Sequence, residues 1–349
     1  VTEANALFAV WDGIGKTTSY ALGSVSLAVP ALAMAGDTEF ALDVRIQFLI
    51  SIVLMIVCMG IGVACVHEKP LPRTPKHGKV KTGFRSQMQE VVSKFRDALF
   101  SDRAELETVQ RVFKVCALFW YAMCVWQIYG PIYMGKEIWR GDPHGPDCGE
   151  GAEEEEDEEC ARYLFEAGVR GFSRSLSIAN FLSMCAALTV PYLMKSFGSG
   201  RLWGALIVFT MIDFVALFAV PFTFHSTAYR RFFATLAMSL LGLPWSVFLT
   251  IPYALVLRTY SDNPDKGLFM AVMNMGLCLG QLSVTLASPL LLLLAGGRVP
   301  ILFIVSVPVL AAGAHVASFI QPAWEMKVPS DSQRYSQVEL SEMSDGDDD

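Results

Sequence analysis

An all-α polytopic membrane protein is what this sequence predicts, and three observations carry the prediction. Hydrophobic residues make up 53% of the chain and charged residues only 17%, with a mean hydropathy of +0.42. A soluble domain of this size could not cover so much apolar surface with so few charges. Long apolar stretches recur near 5–33, 46–66, 112–134, 171–194, 202–222, 231–258, 267–295 and 299–320. Each reaches the roughly 20 residues that a helix needs to cross the hydrocarbon core, and none shows the short alternating pattern of a barrel strand.

Residues 1–66 hold the first two stretches. The first is too long and too polar for a cleaved secretory segment. It contains Asp12 and Lys16, four residues apart and therefore on one helical face, where each neutralises the other. Gly13, Gly15, Thr17, Thr18, Ser19 and Tyr20 make this the most polar part of any span. Charges at bilayer depth face a cavity or a partner, so Asp12, Lys16 and Tyr20 are candidates for a solute or proton pathway. The plainer reading is a structural ion pair. The string from Gly13 to Thr18 mimics a phosphate-binding loop, but position 10, where that motif needs glycine, is Val10.

Residues 67–111 form a long basic loop bearing Lys69, Arg73, Lys76, Lys79, Lys81, Arg85, Lys94, Arg96, Arg103 and Arg111. The positive-inside rule places it in the cytoplasm, and alternation places 34–45 and 140–166 outside and the tail inside. Arg230 and Arg231 fall on an outer turn and are the one discord. Within the loop, Phe84, Met88, Val91, Val92, Phe95, Leu99 and Phe100 recur at helical spacing. They predict an amphipathic helix, either lying on the inner membrane surface or packed on the bundle ends.

Residues 112–322 hold the remaining six stretches, with the acidic outer loop 140–166 between the first two of them. That loop contains Cys148 and Cys160, which pair if it faces an oxidising compartment. No cysteine spacing supports a metal site, and no nucleophile–base spacing supports an enzyme. Trp120, Tyr121, Trp126 and Tyr129 offer aromatic faces to a hydroxyl-rich solute, with interfacial or packing roles as the alternative. Arg170 either hydrogen-bonds sugar hydroxyls or sits at the interface. Asp213 stands alone in an apolar span, carrying a proton or paired with a partner elsewhere. Asn274 and Gln281, seven residues apart on one face, suit sugar hydroxyls or interhelical hydrogen bonds. His315 reads as a packing residue. Residues 323–349 are an acidic cytoplasmic tail whose composition predicts disorder.

Several strings together resemble a known family. Asn5-Ala6, Gly15, Tyr20-Ala21 and Gly23-Ser24 resemble its fifth helix. Met134-Gly135-Lys136-Glu137 with Gly141-Asp142-Pro143 resemble the end of the seventh and the loop beyond it, and Gly168-Val169-Arg170 the eighth. Leu243-Pro244 with Ile251 to Leu255 resemble the tenth. Gly267-Leu268, Met273-Asn274 and Gln281, followed by Gly296-Gly297 and Pro300, resemble the eleventh and the turn into the twelfth. The family is the sucrose-transporter branch of the glycoside-pentoside-hexuronide:cation symporters, in the major facilitator superfamily.

The resemblance implies a major facilitator fold with eight of its twelve transmembrane helices in this sequence, beginning near helix five. The family's helix-four acid and arginine, associated with proton coupling and sugar binding, then have no counterpart here. Its helix-seven aspartates are replaced by Gly130-Pro131-Ile132-Tyr133, and Asp12 and Lys16 stand where the pattern is uncharged. The implied function is proton-coupled symport of a sucrose-like disaccharide by alternating access. Its partners are a small sugar and the lipid bilayer, with no cofactor beyond the coupling proton, no metal and no nucleic acid. Glu137, inside the helix-seven string, joins the candidate residues. Alternatives are transport of another glycoside, a uronate or an organic anion, and a non-transporting receptor, scaffold or inactive remnant. A multi-pass location in the plasma membrane is favoured over an organelle.

Overall fold

The computed structural model describes residues 2–24, 39–65, 84–103, 106–145, 161–261, 263 and 265–320, and every regular element among them is helical. The helices are α1 (Thr2–Gly23), α2 (Glu39–Cys65), α3 (Phe84–Phe100), α4 (Glu107–Ile132), α5 (Ala161–Phe197), α6 (Ser199–Thr223), α7 (Thr227–Leu240), α8 (Gly242–Thr259), α9 (Lys266–Leu294) and α10 (Pro300–Ser318). Six continuous helical stretches among the described residues are long and apolar enough to cross a membrane: 107–138, 161–197, 199–223, 227–259, 266–294 and 300–318. The described apolar part of α2 is shorter, Arg45–Ile61. The acidic loop with Cys148 and Cys160, and the tail from 323, lie outside the described residues.

Helix α4 is the hub of the six and packs against α9, α10, α5 and α8. Its ladder changes register where Pro131 removes a backbone donor, and Tyr133–Ile138 continue as a π-helical turn. The wider turn brings Tyr133 and Met134 fully inside and lets Tyr133 Oη donate to Leu217 O of α6 at 2.7 Å. Helix α5 is longer than its apolar stretch, starting at Ala161 and not near 171, because its first turns pack on this π turn. A Cβ on Gly168 would lie 2.6 Å from Gly135 Cα, so the two backbones meet through paired glycines. Arg170 therefore sits inside a helix and not at its opening.

Helices α7 and α8 form one apolar run that breaks at Leu241. Pro244 has no N–H for the carbonyl four residues back, and Gly242 is pressed against α5: a Cβ there would meet Ala179 O at 1.8 Å. Helices α5 and α6 are joined by a single residue, Gly198, at φ 81°, a conformation that glycine adopts without strain.

The arginines that disagreed with the charge rule have a structural explanation. Arg230 is 1% exposed, and its Nε donates to Ile138 O at 2.8 Å, satisfying a carbonyl freed at the end of the π turn. A cation is favoured at that end by the helix dipole. The Arg231 guanidinium lies 5.0 Å from the centre of the Trp139 ring. Arg230 thus closes a helix end and Arg231 covers an aromatic ring, which gives each a local role inside the fold.

Helix α1 packs lengthwise on α5 and also on α8. Gly13 allows the approach, since a Cβ there would lie 2.9 Å from Met184 Cβ. Ser177 Oγ donates across the interface to Thr17 O at 3.1 Å. Helix α2 touches α1 only lightly and exposes apolar side chains from Phe48 to Ile61, as a lipid-facing helix does. Helix α3 covers the stretch predicted to be amphipathic and lies against α4 and α9. Lys94 on α3 reaches Asp265 in the α8–α9 turn at 3.2 Å.

Candidate functional site

Four helices converge on a cavity of about 140 Å³. Lys16 and Tyr20 come from α1, Trp120, Trp126 and Gln127 from α4, Leu176 and Asn180 from α5, and Trp245 from α8. Trp120 and Trp126 lie on either side of the middle of the 107–138 helical stretch, so the cavity sits near its mid-height. The break between α7 and α8 positions Trp245: Gly242 docks the start of α8 on α5, and the indole three residues later reaches the cavity.

Aromatic faces form the wall. The Trp120 and Trp245 rings stack at 5.2 Å, Trp120 and Phe248 at 5.4 Å, and Trp126 meets Trp245 edge-on at 6.4 Å. Polar groups are few and specific. Lys16 Nζ donates to Asp12 Oδ2 at 2.7 Å and lies 5.2 Å from the Trp245 ring centre. Both partners are partly buried, so the pair brings no net charge to the site while gaining a cation–π contact. Asn180 Nδ2 donates to Leu176 O at 2.7 Å, leaving Oδ1 to accept. Trp126 is 2% exposed, and its indole Nε1 has no hydrogen-bond partner. A buried donor left unpaired costs about 1–3 kcal/mol, which a ligand oxygen would relieve.

The candidates from sequence separate into groups. Asp12, Lys16, Tyr20 and Trp120 come together at or beside the cavity. Tyr121, next to Trp120, packs beside Gly280 of α9, where a Cβ would lie 2.9 Å from its backbone nitrogen. Arg170 lies on α5 two turns from Ser177, engaged with a neighbour and not lining the cavity. Asn274 is on an exposed face of α9, and its Oδ1 accepts from Tyr253 Oη at 3.5 Å. Gln281 is exposed one heptad further along. Glu137, in the π turn, accepts from Val299 N at 3.3 Å and so caps the start of α10. Asp213 is buried against a different cavity between α6 and α7. His315 packs edge-on against Phe319 at 4.9 Å. Among the described residues no group of His, Cys, Asp and Glu is arranged to hold a metal.

Sequence reasoning missed Gln127, Asn180 and Trp245. Asn180 and Gln127 are each the sort of uncharged polar residue that in-span helices often use for packing. Trp245, beside a proline in a mixed aromatic run, carried no periodic signal. A polar side chain in an apolar stretch next to small residues was the one available sign for Asn180.

No family model matches the chain. It is 24% identical over 311 residues to the sucrose transport protein SUT2 of Oryza sativa subsp. indica, covering 85% of this chain and 58% of that protein. It is 23% identical over 316 residues to the sucrose transport protein SUC4 of Arabidopsis thaliana, covering 86% and 57%. The chain is similar to the sucrose transport proteins. SUT4 of Oryza sativa subsp. indica aligns at 23% identity over 375 residues, covering 89% of this chain and 61% of that protein. The chain thus spans about three fifths of the length of these sucrose-transporter relatives. The resemblance read from the short strings extends over most of the chain, and the relatives are transport proteins by name, not enzymes. With the six helices long and apolar enough to cross a membrane, it supports an all-α, multi-pass membrane protein.

Proposed function

We propose that this protein carries a neutral, sucrose-like sugar across a membrane in symport with protons, by alternating access. The observation that carries the reading is the cavity between α1 and the α4, α5 and α8 helices, walled by three tryptophans and holding the unpartnered Trp126 N–H. Flat aromatic faces suit the apolar side of a sugar ring, and a few fixed donors and acceptors suit its hydroxyls. At about 140 Å³ the cavity is smaller than the ~300 Å³ at the low end of ligand pockets. A disaccharide then needs α1 to draw away from α8, the motion that alternating access requires of two helical halves.

In this reading Asp12 is the coupling carboxylate. Protonating it removes the partner of Lys16 and frees the ammonium at the edge of the cavity, so the proton and the sugar bias the same rearrangement. The 2.7 Å ion pair weighs against an anionic cargo, because it leaves the unprotonated site neutral. The similarity to sucrose transport proteins supplies the choice of sugar.

The test is uptake of labelled sucrose into proteoliposomes with and without an inward proton gradient. Uptake that rises with the gradient, and loses that dependence in Asp12→Asn, is expected. Uptake of a uronate but not sucrose would replace the cargo, and no uptake of either would remove the transport reading.

A further inference from the structure

The cavity between α6 and α7 is separate from the sugar site and has a different chemistry. Its volume is about 350 Å³, and its walls are apolar: Ala216, Ala219 and Val220 of α6, and Leu236 and Ala237 of α7. Phe224 and Phe233 stand beside it, stacked at 4.5 Å with their planes 10° apart. Ala216, Phe233 and Leu236 are exposed, and neither α6 nor α7 is among the helices that α1 packs against. The mouth therefore opens on a surface of α6 and α7 that α1 does not cover.

One ionisable group lines this apolar chamber. Asp213 is 6% exposed, belongs to the lining, and has an Oδ2 atom with no hydrogen-bond partner. The other polar side chain of the lining, Thr223, donates its hydroxyl to Ala219 O at 2.9 Å, and Tyr133 Oη donates to Leu217 O. Arg230 Nε donates to Ile138 O and its Nη1 has no hydrogen-bond partner, but Arg230 is not part of the lining. Among the described residues Asp213 forms no ion pair. A carboxyl in such a place calls for a donor from outside the chain.

We propose that this cavity binds a lipophilic amine, with its nitrogen on Asp213 and its apolar body along α6 and α7 toward the Phe224–Phe233 pair. A carboxyl and a free-base amine share one proton between them, so the bound pair carries no net charge through hydrocarbon. An alcohol would form only a neutral hydrogen bond, roughly half as strong as a charge-assisted one. A carboxylic acid would place two acids together. The chamber is thus selective by head group, with size and apolarity admitting any slim alkyl or aryl body.

The test uses the full chain in proteoliposomes and three photoreactive alkyl probes with the same tail, ending in an amine, an alcohol or a carboxylic acid. Cross-links are mapped by mass spectrometry. The amine is expected to label residues 213–240 about tenfold more than the alcohol, a ratio set by the charge-assisted bond. Asp213→Asn should remove that preference while leaving labelling by the alcohol unchanged. Ala216→Leu keeps the carboxyl and narrows the mouth, so it should lower amine labelling and provides a second variant should Asp213→Asn unfold. Equal labelling by all three probes would identify a site for lipid tails and overturn the proposal, as would amine labelling that both variants leave intact. Sucrose uptake measured on the same vesicles reads the other cavity, so failure here and failure of the transport reading give different results.

Discussion

Trp126 and Asp12 give the site its two sharpest expectations. The Trp126 indole is buried at the cavity with an unpaired donor, so Trp126→Phe keeps an aromatic face, though a smaller one, and removes the hydrogen bond proposed to the sugar. A neutral hydrogen bond contributes about 0.5–1.5 kcal/mol. The KM for sucrose should therefore rise by roughly two- to tenfold with little change in kcat, as read from initial uptake rates. A KM unchanged in this variant would take the indole out of the binding site. Lys16→Met offers a second expectation. It leaves Asp12 partly buried with no cation, so uptake should keep its sugar preference but lose its sensitivity to the proton gradient. Asp12 and Lys16 stood out in the sequence because charges are rare in a span. Trp126 was one of four aromatic candidates on its span, and only its neighbours in the fold single it out, because they leave its N–H without an acceptor.

Helix ends and helix crossings decide where those side chains stand. The start of α8 is held on α5 by the absence of a side chain at Gly242. A methyl group there must displace the Ala179 carbonyl, an overpacking penalty of about 1–3 kcal/mol or more. Gly242→Ala should lower the thermal midpoint in detergent by several degrees and also weaken sucrose binding, since Trp245 moves with α8. Gly267→Ala, where a Cβ meets nothing within 4 Å, serves as the control and should leave both unchanged. On the other side of the protein, α3 is tethered by Lys94 to Asp265 and Glu90. The hydrogen bond to Asp265, then its charge, raises the Lys94 pKa above 10.5. A raised cation pKa means that the tether is fully present below about pH 10.5 and is lost as pH climbs through the folded value. Protease sensitivity of α3 should therefore stay flat from neutral pH to about 10 and rise above it, with Lys94→Gln abolishing the transition.

At the scale of the molecule, α1 packs against α5 and α8 along a seam that contains the cavity proposed for the sugar. If the halves rock about that seam, tying it shut should stop transport without unfolding the protein. Thr17→Cys with Ser177→Cys joins positions whose side chain and backbone already meet at 3.1 Å. Oxidation of this pair should abolish sucrose uptake, and reduction should restore it. Full uptake in the oxidised protein would mean that α1 and α5 move as one body. The cavity between α6 and α7 lies off this seam, so the same cross-link should leave amine labelling there untouched.

Hydropathy alone determines that the chain is helical and multi-pass, because only helices and closed barrels cross hydrocarbon and these long unbroken apolar stretches lack the alternation of barrel strands. Short strings such as Met134 to Glu137 and Gly168 to Arg170 carry the resemblance to the sucrose transport proteins, and the structure brings Gly135 and Gly168 of these two strings together at a close helix crossing. Sequence also placed Asp12 and Lys16 on one face, a matter of helical spacing. Tertiary structure decided everything that depends on two helices at once. It set Trp126, Trp245 and Asn180 around Lys16, turned Glu137 and Arg230 into caps of helix ends, and put Asp213 in a chamber of its own. The physical reason is that one helix's periodicity fixes which residues share a face, while which face meets which is settled by glycine contacts, proline breaks and packing across the bundle.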